Sequence, residues 1–163
     1  MKSILLNSER DKKYCQTYIS KQPADGSKIV TIKDASASLS DRQMRTRWMW
    51  ATEVAKSGIG SDDIKKDVDT RAKWMFARPI LLRDDEVFPV VYQGFLNTIE
   101  GSVNYSRYCR DFARDYISIS KMFNKYQTAE YLTEFQRYWL DKGVDLTDPA
   151  LQGVDLTIYD KVA

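Results

Sequence analysis

The 163-residue sequence contains no histidine. That absence excludes Ser-His-Asp and Cys-His catalysis, histidine-ligated zinc and the histidine-dependent metal nucleases, leaving only carboxylate, lysine or tyrosine chemistry to an enzyme. Cysteine is scarce. Cys15 and Cys109 lie far apart with no CxxC spacing, which fits free, packed thiols in a reducing compartment and argues against a zinc cluster. No apolar run approaches the ~20 residues of a membrane span, and MKSILLNSERDKK turns polar too early for the core of a signal peptide. The expected location is cytoplasmic, with no membrane partner. Net charge is also small: 25 Lys and Arg against 23 Asp and Glu leave +2, so any basic surface for nucleic acid has to be local. No internal repeat or low-complexity tract is present, and no cofactor is expected.

What remains is the composition of a folded chain, 43% hydrophobic and 29% charged. KSILLN reads as a short strand, followed by a helix through ERDKKYCQTYISK with Ser8 as its cap. QPADGSK is a turn, KIVTIKD alternates as a second strand, and ASASLS reads as a small, flexible connection. Ser40 is a natural N-cap for a helix through DRQMRTRWMWATEVAKS that stops at Gly58. GSDDIKKDVDTRAKWMFAR repeats the design, with Ser61 as cap, Asp62 and Asp63 facing the helix dipole and Pro79 at its end. DDEVFPVVYQGFLNTIEG carries apolar residues at mixed spacing and reads as a helix with Pro89 in an early turn in preference to an extended stretch, and NYSRYCRDFARDY is helical in period. ISISKMF alternates like a third strand, and TAEYLTEFQRYWLDKG is a helix closed by Gly143. The expected fold class is therefore α+β, a small mixed fold with a few short strands and several helices. Residues 1–148 form a single domain in this reading, and 149–163 a tail.

RQMRTRWMW, residues 42–50, is the segment richest in chemistry. At about 100° per residue, Met44, Trp48, Ala51 and Ala55 share one arc, which Trp50 and Val54 widen to roughly 160°. Arg42 and Arg45 fall on the opposite, solvated side. Arg47 projects from near the middle of the apolar arc, with Gln43 one turn before it. An arginine there is paired with a carboxylate of another segment, stacked on an aromatic face, snorkelling to the surface, or aimed, with Gln43 and an indole face, into a polar cleft. Indole plus guanidinium is what sequence-tolerant binding of single-stranded nucleic acid requires, and also what protein interface hot spots use. Similar mixtures recur in RAKWMFAR, YSRYCRDFAR and FQRYWLDK, where each aromatic is more often core than platform.

The run from Ser40 to Val54, with Gln43, Arg45 and Trp48 in order after an IVTI segment, resembles the signature helix of the NinB/Orf family of phage recombination proteins. Downstream, SISKM and then EYLTEFQRYWLDKGVDLTD, residues 130–148, are similar to that family's Ser-x-Lys/Arg-Met strand and C-terminal helix. The likeness covers roughly residues 28–148. It implies an α+β intertwined homodimer in the host-cell cytoplasm with a non-catalytic role: binding single-stranded DNA and single-strand-binding protein to help load a recombinase. Carried over residue by residue, it marks Gln43, Arg45 and Trp48 on the helix and Ser120, Lys121 and Met122 on the strand. The DNA-binding set is thus Arg42, Gln43, Arg45, Arg47, Trp48, Trp50, Ser120 and Lys121. Two departures stand out: the loop before the helix is longer here, and the chain ends in PALQGVDLTIYDKVA rather than a basic, tryptophan-bearing helix.

Two other functions compete. A metal-dependent nuclease would draw on Asp84, Asp85 and Glu86, or on Asp62 and Asp63, but adjacent aspartates do not by themselves converge on shared ions. A pure interaction module would use the same basic-aromatic surface to dock acidic protein tails.

Overall fold

The computed structural model describes residues 9–30 and 35–158. The chain divides into two units, Met1–Ser38 and Leu39–Ala163. In the first, α1 (Glu9–Ser20) occupies the predicted helical run and is followed by a turn in which Gly26 takes a left-handed φ of 79°. Cys15, on α1, is a half-buried free thiol.

The element order continues with α2 (Ala35–Ser57), α3 (Lys65–Ala72), a π-helical segment (Lys73–Ala77), α4 (Arg78–Asp84), α5 (Phe88–Ile99), α6 (Tyr105–Asp115), the single turn α7 (Ile119–Met122), α8 (Lys125–Asp141) and a 3-10 turn (Pro149–Gln152). Among the described residues there is no strand, so the expected α+β class is corrected to an all-helical one. KSILLN lies outside the described residues, as do Ser8 and the second half of KIVTIKD; residues 28–30 of that segment have no regular structure. The ISISKMF expectation fails for a visible reason. Ile117 and Ile119 are both buried while Ser120 and Lys121 are exposed, which a single helical turn achieves as readily as alternation does. Four apolar-polar steps are too few to separate the two periods.

Several boundaries also move. The small residues of ASASLS begin α2 instead of preceding it, so Ser40 sits inside the helix and is not its N-cap. Asp62 and Ser61 do not cap α3: the Arg71 guanidinium donates to both, 2.5 Å from the Asp62 carboxylate and 2.7 Å from the Ser61 hydroxyl. Pro79 does not end its helix. It follows the π-helical turn directly and occupies the first turn of α4, where its missing N–H costs least. Other helix ends are explicitly capped. Pro89 opens α5, with the Asp85 carboxylate accepting from the Val87 and Phe88 amides at 2.8 and 2.7 Å. Gly58 and Gly143 close α2 and α8 at φ 68° and 85°. Asn124 and Gln127 form a capping box at the start of α8.

The core of the second unit is aromatic. Trp50 stacks on Phe135 with ring centroids 5.9 Å apart, and Phe76, Tyr131 and Trp139 continue the cluster. A second ladder joins α5 to α6, with Phe95 stacked on Phe112 at 4.2 Å and Phe112 on Tyr116 at 4.9 Å. Val144, Leu146 and Val154, from the aperiodic segment after α8, are buried against the same core. No described helix is long and apolar enough to cross a membrane.

Candidate nucleic-acid interface

The buried face of α2 is Gln43, Thr46, Arg47, Trp50, Ala51 and Val54. Relative to the arc drawn from apolar residues alone, it is rotated so that polar Gln43 and Arg47 lie at its centre and Trp48 falls outside. Each buried polar side chain on it has at least one partner inside the chain, although the Gln43 Oε1 atom itself is buried without one. The Gln43 amide nitrogen donates to the Lys125 carbonyl at 2.9 Å, which ties α2 to the start of α8. The Thr46 hydroxyl donates back to the Arg42 carbonyl at 3.0 Å. Arg47, 6% exposed, grips Asp69 of α3 with Nε and Nη2, each 2.6 Å from a carboxylate oxygen. Of the readings open for this arginine, internal pairing is realised, together with a contact to the Trp48 ring, and the open cleft is not.

The pair belongs to a larger buried group. Lys73 Nζ lies 3.6 Å from the same carboxylate and donates to the Arg114 carbonyl at 3.3 Å. Burial is the largest single influence on Arg47 and opposes its charge, but the Asp69 hydrogen bonds together with the charges of Tyr131 and Asp69 outweigh it, leaving the guanidinium more firmly protonated than usual. For Lys73 burial wins over Asp69, and its ammonium is held below the ordinary lysine range. The Tyr131 hydroxyl, fully buried beside Arg47, has no hydrogen-bond partner of standard geometry. Burial first, then the Asp69 charge, push its ionisation well above the ordinary value of 10.0. A folded-state value raised above the unfolded one gives stability that is present below pH 10 and lost as pH rises beyond it, because the unfolded chain releases the proton more readily. Tyr131→Phe is therefore expected to remove that alkaline loss and, by deleting an unsatisfied buried hydroxyl, to gain about 1 kcal/mol near neutrality. Denaturant unfolding at pH 7 and pH 11 measures both effects.

Trp50 is fully buried, and its indole N–H donates to the Thr147 carbonyl at 2.8 Å. Gln43, Arg47 and Trp50 thus hold the chain together and present nothing to solvent. Trp48 differs: it is 37% exposed. The Arg47 guanidinium carbon lies 4.8 Å from its ring centroid and Lys65 Nζ, at the start of α3, 5.9 Å from it. Arg45, one turn earlier, is exposed and has no ion-pair or hydrogen-bond partner among the described residues. Exposed Ile64 stands next to Lys65. Arg42 is half-buried with its guanidinium close against Gly153, so that a Cβ there would meet Arg42 Nη1 at 2.8 Å. Ser120 and Lys121 are exposed on α7, and the Ser120 hydroxyl lies 3.4 Å from that of Ser118. Among the described residues the arrangement places the exposed indole beside two cations with no carboxylate partner, Arg45 and Lys65. Lys65 is the residue that sequence reasoning missed; only the α2–α3 packing imposed by Arg47 and Asp69 brings it to Trp48.

Of the five carboxylates weighed for metal binding, Asp62, Asp84 and Asp85 are engaged elsewhere, and Asp63 and Glu86 are exposed. Asp84 takes two bonds from Arg83, at 2.6 and 2.7 Å, and one from Gln127, and Arg83 holds its carboxyl below the usual range. Asp85 caps α5, and Asp62 pairs with Arg71. Among the described residues no three His, Cys, Asp or Glu side chains gather into a metal-holding group. Cys109 is a buried free thiol whose ionisation burial pushes up, so it remains protonated near neutrality. No protein-family model matches the chain, and comparison with curated proteins and with solved structures found no match.

Proposed function

We propose that this chain is a non-catalytic binder of single-stranded DNA, with Trp48 as the stacking surface for a base and Arg45 and Lys65 as the phosphate contacts. The observation that carries the reading is the exposed Trp48 ring with Lys65 Nζ 5.9 Å from its centroid. A base needs a flat apolar surface and the phosphate beside it a cation, and sequence-tolerant binders supply both at one place. The finer role, that of a recombination mediator working with single-strand-binding protein and a recombinase as a homodimer, rests on the sequence resemblance alone. The all-helical fold gives that resemblance no support, so the DNA chemistry is argued independently of it.

Anisotropy of a labelled oligonucleotide at low salt tests the reading. Stacking on an aromatic is worth ~1–3 kcal/mol per base, so Trp48→Ala is expected to weaken binding at least about tenfold. Arg45→Ala and Lys65→Ala are each expected to reduce the salt slope by about one. Duplex of the same sequence should bind more weakly. Absence of single-strand binding at low salt, or binding indifferent to all three substitutions, would overturn it. Capture of an acidic protein tail through Trp48 without any affinity for DNA would transfer the site to the interaction-module reading.

A further inference from the structure

A second site lies away from the face of α2. Between α3 with its π-helical turn and α6 there is an open cleft of about 290 Å³, lined by Asp67, Arg71, Trp74, Tyr105, Cys109 and Arg110 among others. This volume stands at the lower end of the range for small-molecule sites. Its walls combine an indole, a phenol and the buried Cys109 thiol with charged groups of both signs, a composition unlike a solvated helix face.

Three features give the cleft direction. Trp74 is held in place: the Arg78 guanidinium carbon lies 4.1 Å from its ring centroid, and Arg78 Nη1 donates to the Tyr92 hydroxyl at 3.2 Å. Trp74 is also carried by the π-helical turn Lys73–Ala77, an irregularity that a helix retains at a cost and that recurs at functional sites. Second, Arg71 is neutralised by Asp62, whereas Arg110 has no ion-pair or hydrogen-bond partner among the described residues. Third, the Asp67 side chain likewise has none. The cleft therefore presents a fixed aromatic wall, one free cation and one free pair of acceptor oxygens.

From this we infer that the cleft binds a nucleoside monophosphate, its base against Trp74, its phosphate on Arg110 and its base edge donating to Asp67. Guanine is the preferred base, because its N1–H and N2–H donors sit side by side and match the two oxygens of one carboxylate. Uracil, with a single N–H between two carbonyls, would set an acceptor against Asp67. The inference goes beyond the single-strand reading and uses none of its residues.

Calorimetric titration of the full chain with GMP, UMP, guanosine and inorganic phosphate tests it. GMP is expected to bind saturably and more tightly than UMP. Arg110→Ala should weaken GMP at least about tenfold, the equivalent of one charge-assisted contact, while leaving guanosine unchanged. Asp67→Asn should erase the preference of GMP over UMP. Both positions are exposed, so neither change threatens the fold. No saturable GMP binding would overturn the inference, as would GMP binding indifferent to both substitutions or inorganic phosphate binding as tightly as GMP. Trp48→Ala should leave GMP binding intact, and the Arg110→Ala, Asp67→Asn double variant should leave oligonucleotide binding intact, so the two sites fail separately.

Discussion

Asp69→Ala is expected to destabilise the chain by about 3–5 kcal/mol, the usual cost of removing one partner from a buried ion pair, and to lower Tm by on the order of 10 °C. The reason is the company Asp69 keeps. It accepts two 2.6 Å bonds from Arg47 and lies 3.6 Å from Lys73 Nζ, so its loss strands two cations in a dry region. Arg47→Met is expected to cost less, because Asp69 retains Lys73 as a counter-charge. Combining Arg47→Met with Asp69→Leu removes the pair and fills its volume but leaves Lys73 without a counter-charge, and should recover only part of the loss. A double-mutant cycle from urea unfolding should give a coupling on the order of 2–3 kcal/mol. Additive single effects would show that the pair is not the unit argued here.

This ion pair also explains which parts of the fold were legible in the sequence. α1, α6 and α8 are readable from their helical period, with Gly143 marking the end of α8, whereas the apolar spacing of α5 is mixed and only Pro89 in an early turn favours helix over an extended stretch. α2 was readable as a helix but not in rotation. Its buried face is chosen by Gln43 and Arg47, and their partners, the Lys125 carbonyl and Asp69, lie 82 and 22 residues away along the chain. A signal for the second partner did exist. Asp69 sits between buried Val68 and buried Thr70 with Ala72 beyond, a carboxylate on an apolar face that mirrors the arginine on α2. Matching those two misplaced charges would have put Arg47 inside and Trp48 at the rim.

The missing strands have a different cause. SISKM reads as a strand from a short alternation and a family likeness, and over so few residues apolar period does not separate a strand from one helical turn. The candidate DNA site was correspondingly half legible. Arg45 and Trp48 could be named from α2 alone, whereas Lys65 and the cleft at Trp74 depend on helix packing and on a π-helical turn that no local pattern announced.

Trp50→Ala is expected to cost about 3–5 kcal/mol, against less than about 1 kcal/mol for Trp48→Ala two positions away. Composition makes the two tryptophans look equivalent; burial separates them, at 0% and 37% exposure. Trp50 does more than fill the core, because its N–H holds the Thr147 carbonyl while Glu53, one turn later on α2, accepts from the Thr147 amide and hydroxyl. Thr147 is therefore fastened to α2 at three points, and the aperiodic segment that buries Val144, Leu146 and Val154 is fastened with it. Truncating Trp50 removes one of those bonds and the stacking surface beneath Phe135. Amide exchange should then rise first across residues 144–154, before the aromatic core of α8 loses protection. Trp50→Phe, which keeps the stacking but leaves the Thr147 carbonyl without its indole donor, should fall between the two, at about 1–3 kcal/mol. If Trp50→Ala and Trp48→Ala prove equally mild, the assignment of one ring to the core and the other to the surface fails, and with it the choice of Trp48 as the DNA-facing indole.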